Sequence, residues 1–286
     1  MSEMVKLIEC PRDAMQGLHD FIQTEKKAAY INQLLKVGFD TIDFGSFVSP
    51  KAIPQLRDTA EVLNLLDLSQ TNSKLLAIIA NTRGAEDACK FEEINYLGFP
   101  FSISETFQQR NTNSSIEESI IRVEEIQNLC LKYNKKLVIY ISMAFGNPYG
   151  DAWNGDIAVS YTEKLYKKGI RIFAMSDTIG SSNRDNITDL FTKVIPAFAD
   201  AEIGAHLHST PETRIEKIDA AFKAGCRRFD AAIHGIGGCP MAKEELTGNL
   251  ATETLIDYLK SQKIVTNLNQ IALNESFLQA SAIFPS

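Results

Sequence analysis

The sequence predicts a closed (β/α)8 barrel, a TIM barrel, with one extra helix at its C-terminal end. Three observations support this fold class. Short apolar segments alternate with longer amphipathic ones, the alternation occurs eight times, and no linker rich in Pro or Ser interrupts it. The chain has 286 residues, of which 44% are hydrophobic, and can therefore bury a full core. We expect one catalytic domain over residues 1–286.

Four strand–helix units are predicted in the first half of the chain. Gly38 ends the first helix and Pro50 precedes the second, as these two residue types commonly do. The fragment Ser115-Ile-Glu-Glu118 has the spacing of a capping box, which marks the start of a helix. Strands are predicted over residues 5–9, 41–44, 74–80 and 94–99, and helices over 24–37, 53–66, 83–89 and 114–133.

Four further units are predicted in the second half. Gly169 and Gly225 each end a helix, and the tail, residues 264–286, is expected to pack as an additional helix outside the barrel. Strands are predicted over residues 136–142, 171–176, 202–208 and 228–233, and helices over 156–168, 185–198, 211–224 and 249–261.

The charge and the cysteine content exclude several classes of protein. A formal net charge of -7 is opposite to the concentrated basic surface of a nucleic-acid-binding protein. No apolar run is long enough to cross a bilayer, and the first strand begins too early to leave room for a targeting peptide. The cysteines are odd in number, widely spaced and without a Cys-x-x-Cys pair, which is typical of a reducing compartment. We therefore expect a cytoplasmic protein that binds neither membranes nor nucleic acid.

Two of the four histidines, His206 and His208, lie two residues apart in a predicted strand. Alternate residues of a strand share a face, so both imidazoles are expected on the same side. Two imidazoles can bind a divalent cation if a carboxylate joins them, and Asp13 after the first strand is the candidate. The alternative is a pair of ordinary hydrogen-bonded polar residues.

Other reactive side chains follow strands of the barrel, where the active sites of this fold lie. The planar guanidinium of Arg12 suits a developing enolate or carboxylate, although a surface ion pair is the alternative. Asp43 and Asp177 are candidate bases or orienting groups, or alternatively caps of strand–helix turns. Gln16 lies just beyond Asp13 and is expected near the same opening.

Two candidates lie after the eighth strand. Cys239 follows a run of glycines and precedes a proline, a flexible setting for a thiol that enters and leaves a site. Asn249 is predicted at a helix start, where it either contributes an amide oxygen to the metal or serves as an ordinary N-cap.

Several motifs together resemble the 3-hydroxy-3-methylglutaryl-CoA lyase family, whose members belong to the metal-dependent TIM-barrel lyases and acyltransferases. The resemblance spans nearly the whole chain and keeps the order of the motifs. The arginine–aspartate pair and His-x-His belong to the superfamily at large, whereas the serine–phenylalanine and glycine–cysteine motifs point to the lyase branch. The motifs are Pro11-Arg12-Asp13-Ala-Met-Gln16, Ser46-Phe-Val-Ser-Pro50, Ser176-Asp-Thr-Ile-Gly180, His206-Leu-His208, Gly237-Gly-Cys-Pro240 and Gly248-Asn-Leu-Ala-Thr-Glu253.

The resemblance implies a retro-Claisen cleavage of an acyl-CoA thioester to acetyl-CoA and acetoacetate, in a homodimer. Arg12 would stabilise the enolate, and Cys239 would act as a mobile acid or base. Arg110 and Asn111 would lie near the coenzyme A end of the substrate, unless they belong to a solvated loop. The residues surrounding a Mg²⁺ or Mn²⁺ ion would be Asp13, His206, His208 and Asn249.

This chain departs from the family pattern at four places. Asp43 replaces the usual Glu, Ser209 replaces an Asp, and Ile8 falls at the position of a glutamate that is displaced here to Glu9. The segment between Cys239 and Asn249 is one residue longer and carries the charged run Lys243-Glu-Glu-Leu246. A related acyl-CoA substrate is therefore an alternative.

Three other functions would use some of the same residues. An aldolase or synthase of the same superfamily would also use Arg12 and the three metal ligands, but the Gly-Gly-Cys-Pro loop favours a lyase. A metal-dependent amidohydrolase would carry its His-x-His on the first strand rather than the seventh. A non-catalytic metal-binding barrel is the remaining alternative, and the intact set of reactive residues argues against it.

Overall fold

The computed structural model describes residues 4–238 and 247–284. Within them, eight parallel strands pair in chain order, and the last pairs with the first, so the sheet is closed. This confirms the predicted (β/α)8 barrel. The strands are β1 Lys6–Glu9, β2 Thr41–Ser46, β3 Lys74–Ile78, β4 Ile94–Ser102, β5 Lys136–Ser142, β6 Ile172–Ser176, β7 Glu202–His206 and β8 Arg228–Ala231.

The strands are apolar because helices cover the outside of the sheet and side chains fill its inside. In β5 only Lys136 is exposed, while the six residues that follow it are buried. Part of the barrel interior is filled by a compact apolar cluster contributed by β3, β5 and β6. That cluster consists of Leu76, Val138, Tyr140, Ile172 and Ala174.

The helices alternate with the strands as predicted, and the extra C-terminal helix is present. The Ser115 side chain accepts from the backbone of Glu118, and the Glu118 side chain bonds back to the Ser115 backbone, which confirms the capping box. The helices are α1 Pro11–Gln16, α2 Thr24–Leu35, α3 Thr59–Asn64, α4 Thr82–Ala88, α5 Glu105–Thr112, α6 Ile116–Lys132, α7 Gly155–Lys167, α8 Arg184–Ala197, α9 Arg214–Lys223, α10 Thr252–Ser261 and α11 Gln270–Ile283.

Some predicted helix bounds are wrong, and the alternative of a solvated loop at Arg110 is excluded. The helix predicted over 53–66 is divided into a 3-10 turn, Pro54–Leu56, and the short helix α3, and the Thr59 hydroxyl donates to the Leu56 main-chain oxygen at the junction. The segment around Arg110 is helix α5 rather than a loop. The helix expected from Asn249 begins three residues later, at α10.

The C-terminal helix α11 packs against α2. The side-chain amide of Gln33 donates to the main-chain oxygen of Ala272 over 2.9 Å. None of the helices in the described ranges combines the length and the apolar character that a membrane crossing requires.

Candidate active site and metal centre

Three predicted metal ligands converge at the carboxyl ends of β1 and β7. Asp13 lies in α1, His206 is the last residue of β7, and His208 follows two residues later. One carboxylate oxygen and one nitrogen from each imidazole lie within 4.8 Å of one another, and all three residues are buried. Two imidazoles and a carboxylate at this spacing suit a divalent metal ion and leave coordination positions for substrate oxygens.

The hydrogen bonding of His208 supports a metal-ligand role. Its Nδ1 lies 3.2 Å from the main-chain oxygen of Thr178, which can only accept, so Nδ1 carries the proton. Nε2 then has a free lone pair, and it is a buried atom without a hydrogen-bond partner among the described residues. Burial, together with the charge of His206, lowers the pKa of His208 to about 4. The ring is therefore neutral near pH 7, the form that binds metals.

His206 is oriented from below by Asp230 of β8. Its Nδ1 lies 3.2 Å from a carboxylate oxygen of Asp230, and the ring of Tyr140 packs edge-on against the imidazole. Burial opposes charge on His206, but the hydrogen bond and the negative charge of Asp230 outweigh it and raise the pKa of the ring. With Nδ1 engaged by Asp230, Nε2 is the atom available at the metal site.

A second set of possible ligands shares His206 with the first. Cys10 and Asp230 each offer one atom within 4.8 Å of a His206 nitrogen. However, burial raises the pKa of the Cys10 thiol well above its usual range, and Asp230 already accepts from Arg228 over 2.9 Å. A metal ligand must be a thiolate rather than a thiol. The set that includes Asp13 is therefore the better candidate.

Arg12 is buried and all its nitrogens are engaged. Nε and Nη2 donate to the carboxylate of Asp43, the closest contact being 2.5 Å. Nη1 donates to Asp13 over 2.9 Å and to Gln16 over 2.8 Å. Gln16 in turn donates to the same oxygen of Asp13. This network fixes the guanidinium plane beside the metal ligand.

The two aspartates bonded to Arg12 differ in their electrostatics. Burial alone would raise the pKa of Asp13, but the charges of Arg12 and the two histidines outweigh it and lower that pKa to about 2. Burial dominates at Asp43 and raises its pKa to about 6 in spite of Arg12. Asp13 is thus held as a carboxylate, the form that a metal ligand requires.

Asn249 lies next to Asp13, as the metal prediction requires. Its Nδ2 donates to Asp13 over 2.6 Å and to the main-chain oxygen of Ile236 over 2.9 Å, which leaves Oδ1 as its ligand atom. A backbone bridge also pairs His208 with Asn249. A side-chain carbon on Gly237 would lie 2.6 Å from Asn249 Nδ2 and 2.8 Å from the Asp13 main-chain oxygen. Gly237, at a φ of 107°, therefore allows this loop to lie directly against Asp13.

The predicted catalytic residue Cys239 lies outside the described residues, as does the run 243–246. Cys239 follows Gly237 by two positions in the sequence.

Asp177 does not line the cavity, and its carboxylate points to a buried lysine instead. It accepts from Lys217 over 2.8 Å and from the backbone and hydroxyl of Ser182. Lys217 also donates to the main-chain oxygen of His208 over 2.7 Å. Asp177 is thereby linked through Lys217 to the backbone of a metal-ligand candidate. Its proposed direct role as a base has no support in this geometry.

A cavity of about 660 Å³ opens above these residues. Its lining includes Arg12, Asp13, His206 and His208. The lining also includes Gln16, which was expected near this opening, and Arg110 and Asn111, which were expected near the coenzyme A end of the substrate. Arg110 packs over the ring of Tyr149 at 4.7 Å.

Several residues of the site were not predicted from the sequence. Asp230 and Arg228 alternate with Phe229 in β8, and this strand alternation was the available signal that both face the barrel interior. Lys217 lies in α9 among ordinary helical residues, so nothing in the local sequence distinguished it. Arg122 of α6 also lines the cavity and donates to Ser114 over 3.3 Å.

Comparisons with known proteins agree with this geometry. A family model described as HMGL-like matches residues 5–276. Hydroxymethylglutaryl-CoA lyase YngG of Bacillus subtilis is 33% identical over 258 residues, which are 90% of this chain and 85% of that protein. The mitochondrial hydroxymethylglutaryl-CoA lyase of Homo sapiens is 31% identical over 280 residues, 96% of this chain and 84% of that protein.

Solved structures show the same fold. An HMG-CoA lyase from Acinetobacter baumannii, in complex with coenzyme A and 3-methylmalate, superposes with a TM-score of 0.92 at 30% identity, covering 99% of this chain and 92% of that one. The HMG-CoA lyase of Bacillus subtilis superposes with a TM-score of 0.91 at 31% identity and covers 98% and 93%.

Proposed function

Because the chain belongs to the HMGL-like family, we propose that it is a metal-dependent carbon–carbon lyase that cleaves 3-hydroxy-3-methylglutaryl-CoA to acetyl-CoA and acetoacetate. The single observation that carries this proposal is the convergence of Asp13, His206 and His208 beside the buried guanidinium of Arg12. Together they combine a site for an electrophile with a fixed positive charge. A retro-Claisen cleavage requires both.

The metal ion would be held by Asp13, His206 and His208, with the amide oxygen of Asn249 as a further ligand. The carboxylate and amide oxygens of Asp13 and Asn249 favour Mg²⁺ or Mn²⁺. When bound, such an ion supplies a Lewis acid for the hydroxyl and acyl oxygens of the substrate.

Arg12 stabilises the negative charge that develops when the carbon–carbon bond breaks. The bond electrons pass into the thioester fragment, which becomes an enolate. Asp43 and Asp13 hold the guanidinium in one orientation, so its charge is in place before the reaction begins. Asp43 and Asp177 act here as positioning residues, one through Arg12 and the other through Lys217.

Cys239 moves the proton. One proton leaves the tertiary hydroxyl and one reaches the enolate carbon, so a single group that accepts the first and donates the second balances the reaction. Gly237 lies against Asp13 and Asn249, and Cys239 is the second residue after it in the chain. Two residues span about 7 Å at most. This short separation in sequence supports Cys239 as the proton carrier.

Arg110, Asn111 and Arg122 would receive the coenzyme A portion of the substrate. All three line the cavity together with the metal ligands. The coenzyme A phosphates are anionic, and arginine is the side chain that binds phosphate with two parallel hydrogen bonds. Gln16 lies between Arg12 and Asp13 and would contact the acyl portion.

The proposal also covers the cellular compartment and the oligomeric state. Four cysteines in the described part of the chain are free thiols, which favours a reducing compartment such as the cytoplasm. A homodimer is proposed on the family resemblance alone, and sedimentation velocity would test it.

The decisive experiment incubates purified protein with Mg²⁺ or Mn²⁺ and 3-hydroxy-3-methylglutaryl-CoA, and measures acetoacetate and acetyl-CoA. Equimolar formation of both supports the proposal. A panel of other branched 3-hydroxyacyl-CoA thioesters and of 2-oxo acids is assayed in parallel, because Asp43, which holds Arg12, is one methylene shorter than the family glutamate. If the protein cleaves another member of the panel but not 3-hydroxy-3-methylglutaryl-CoA, the named substrate is rejected and the proposed lyase chemistry stands. No turnover with any of them would reject the lyase.

A further inference from the structure

Four charged side chains form a column inside the barrel that ends at His206. Lys6 pairs with Glu202, and Glu202 Oε1 accepts from Arg228 Nε over 3.0 Å. Arg228 Nη1 donates to Asp230 over 2.9 Å, and the other oxygen of Asp230 lies 3.2 Å from His206 Nδ1. None of the four lines the cavity among the described residues. Their direct hydrogen bond to a candidate metal ligand is the one between Asp230 and His206.

The strand register explains why these residues meet. Asp230 is the partner of His206 between β7 and β8, and Arg228 is the partner of Lys6 between β8 and β1. Gly204 leaves the space that the Arg228 side chain occupies. A side-chain carbon at position 204 would lie 2.8 Å from Arg228 Nη1 and 3.0 Å from its Cγ. The sequence Gly-Ala-His in β7 thus accommodates an arginine beneath the histidine.

This column is poorly explained as a stabilising feature. The side chains of Arg228 and Asp230 are 4% and 0% exposed, so both charges are removed from water. Replacing such a pair with apolar residues is often neutral or stabilising, because desolvation offsets the attraction between the charges. The adjacent part of the interior is an ordinary apolar cluster formed by β3, β5 and β6. The contact that the column makes with His206, a candidate metal ligand, explains it better.

We propose that Asp230, itself held by Arg228, is a positioning residue for His206 as a metal ligand. The carboxylate accepts the Nδ1 proton, which fixes the tautomer and the ring plane and leaves the Nε2 lone pair directed at the space shared with Asp13 and His208. Metal-binding histidines commonly depend on such a carboxylate. The inference rests on the metal site of the proposed function.

The test measures metal affinity rather than turnover. Mn²⁺ binding is titrated by electron paramagnetic resonance for the wild type, Asp230→Asn and Lys6→Gln. An asparagine can present its amide N–H to Nδ1 and so favour the wrong tautomer. Asp230→Asn is expected to bind Mn²⁺ about 10- to 100-fold more weakly. Lys6→Gln, at the far and partly exposed end of the same column, is the matched control and should bind like the wild type.

A second variant tests whether Arg228 is needed to hold Asp230 in place. It leaves both Asp230 and His206 unchanged. Gly204→Ala displaces Arg228 and is expected to weaken Mn²⁺ binding less than Asp230→Asn does. The visible absorption of bound Co²⁺ reports coordination geometry and should change in both variants, with far-UV circular dichroism checking that each is folded. Wild-type affinity and an unchanged Co²⁺ spectrum in folded Asp230→Asn would overturn the inference and leave the proposed function intact. A wild type that binds no divalent ion would overturn both.

Discussion

Replacing Arg12 with lysine keeps the positive charge but removes the planar guanidinium that its neighbours hold in a fixed position. The guanidinium makes contacts to three side chains at once: two nitrogens to Asp43, and one shared between Asp13 and Gln16. An ammonium group is a single point that cannot bridge these acceptors. One buried carboxylate would lose its partner, which costs about 1–3 kcal/mol of folding free energy. The variant should therefore fold but be less stable.

The effect of Arg12→Lys on catalysis should be larger than its effect on folding. Loss of one positioned group that stabilises a developing negative charge lowers kcat about 10²- to 10³-fold, equivalent to about 2.7–4 kcal/mol. The assay follows acetoacetate formation at saturating Mn²⁺, with urea denaturation of the same preparation. Arg83→Lys, an exposed arginine on α4, is the matched control and should be unchanged. Turnover by Arg12→Lys within a few-fold of the wild type would refute the role assigned to the guanidinium.

Three further predictions follow from the site. Cys239→Ala should lower kcat about 10²- to 10⁴-fold by removing the proton carrier, while Mn²⁺ affinity measured by titration stays unchanged. Mn²⁺ at about 100 times its dissociation constant should raise the free energy of unfolding by about 2.7 kcal/mol, and thermal denaturation should show this shift abolished in His208→Ala. Glu9 is buried, which raises its pKa from 4.5 to about 8, so folding favours the protonated acid. The free energy of unfolding of the metal-free protein should therefore fall as the pH rises between these values, and urea denaturation of Glu9→Gln should show a flatter dependence.

The fold and the centre of the site were predictable because short, local signals determine them. Regular alternation of apolar segments specifies the barrel, and the fold brings strand ends together whatever their separation in the chain. Asp13 and His208 are 195 residues apart in sequence, yet both follow strands that open onto the same end. Predicting that they meet required only the strand count.

The contacts of the supporting residues could not be predicted, because they depend on register and side-chain reach. Asp43 lies inside β2 rather than at its end, and its bidentate contact with Arg12 joins that strand to α1. Lys217 is a buried cation in a helix, and only the closed barrel brings it to Asp177 and to the backbone of His208. Asn249 contacts Asp13 from the irregular segment that precedes α10, although the sequence predicts a helix from Asn249 onward.

The position of a bound Mn²⁺ ion in a crystal of this protein, located by anomalous scattering, tests the central claim most directly. We predict one peak at coordination distance from a carboxylate oxygen of Asp13 and from the Nε2 atoms of His206 and His208. A peak elsewhere, or none at these three atoms in crystals grown with saturating Mn²⁺, would contradict the assignment of the electrophile on which the proposed cleavage depends.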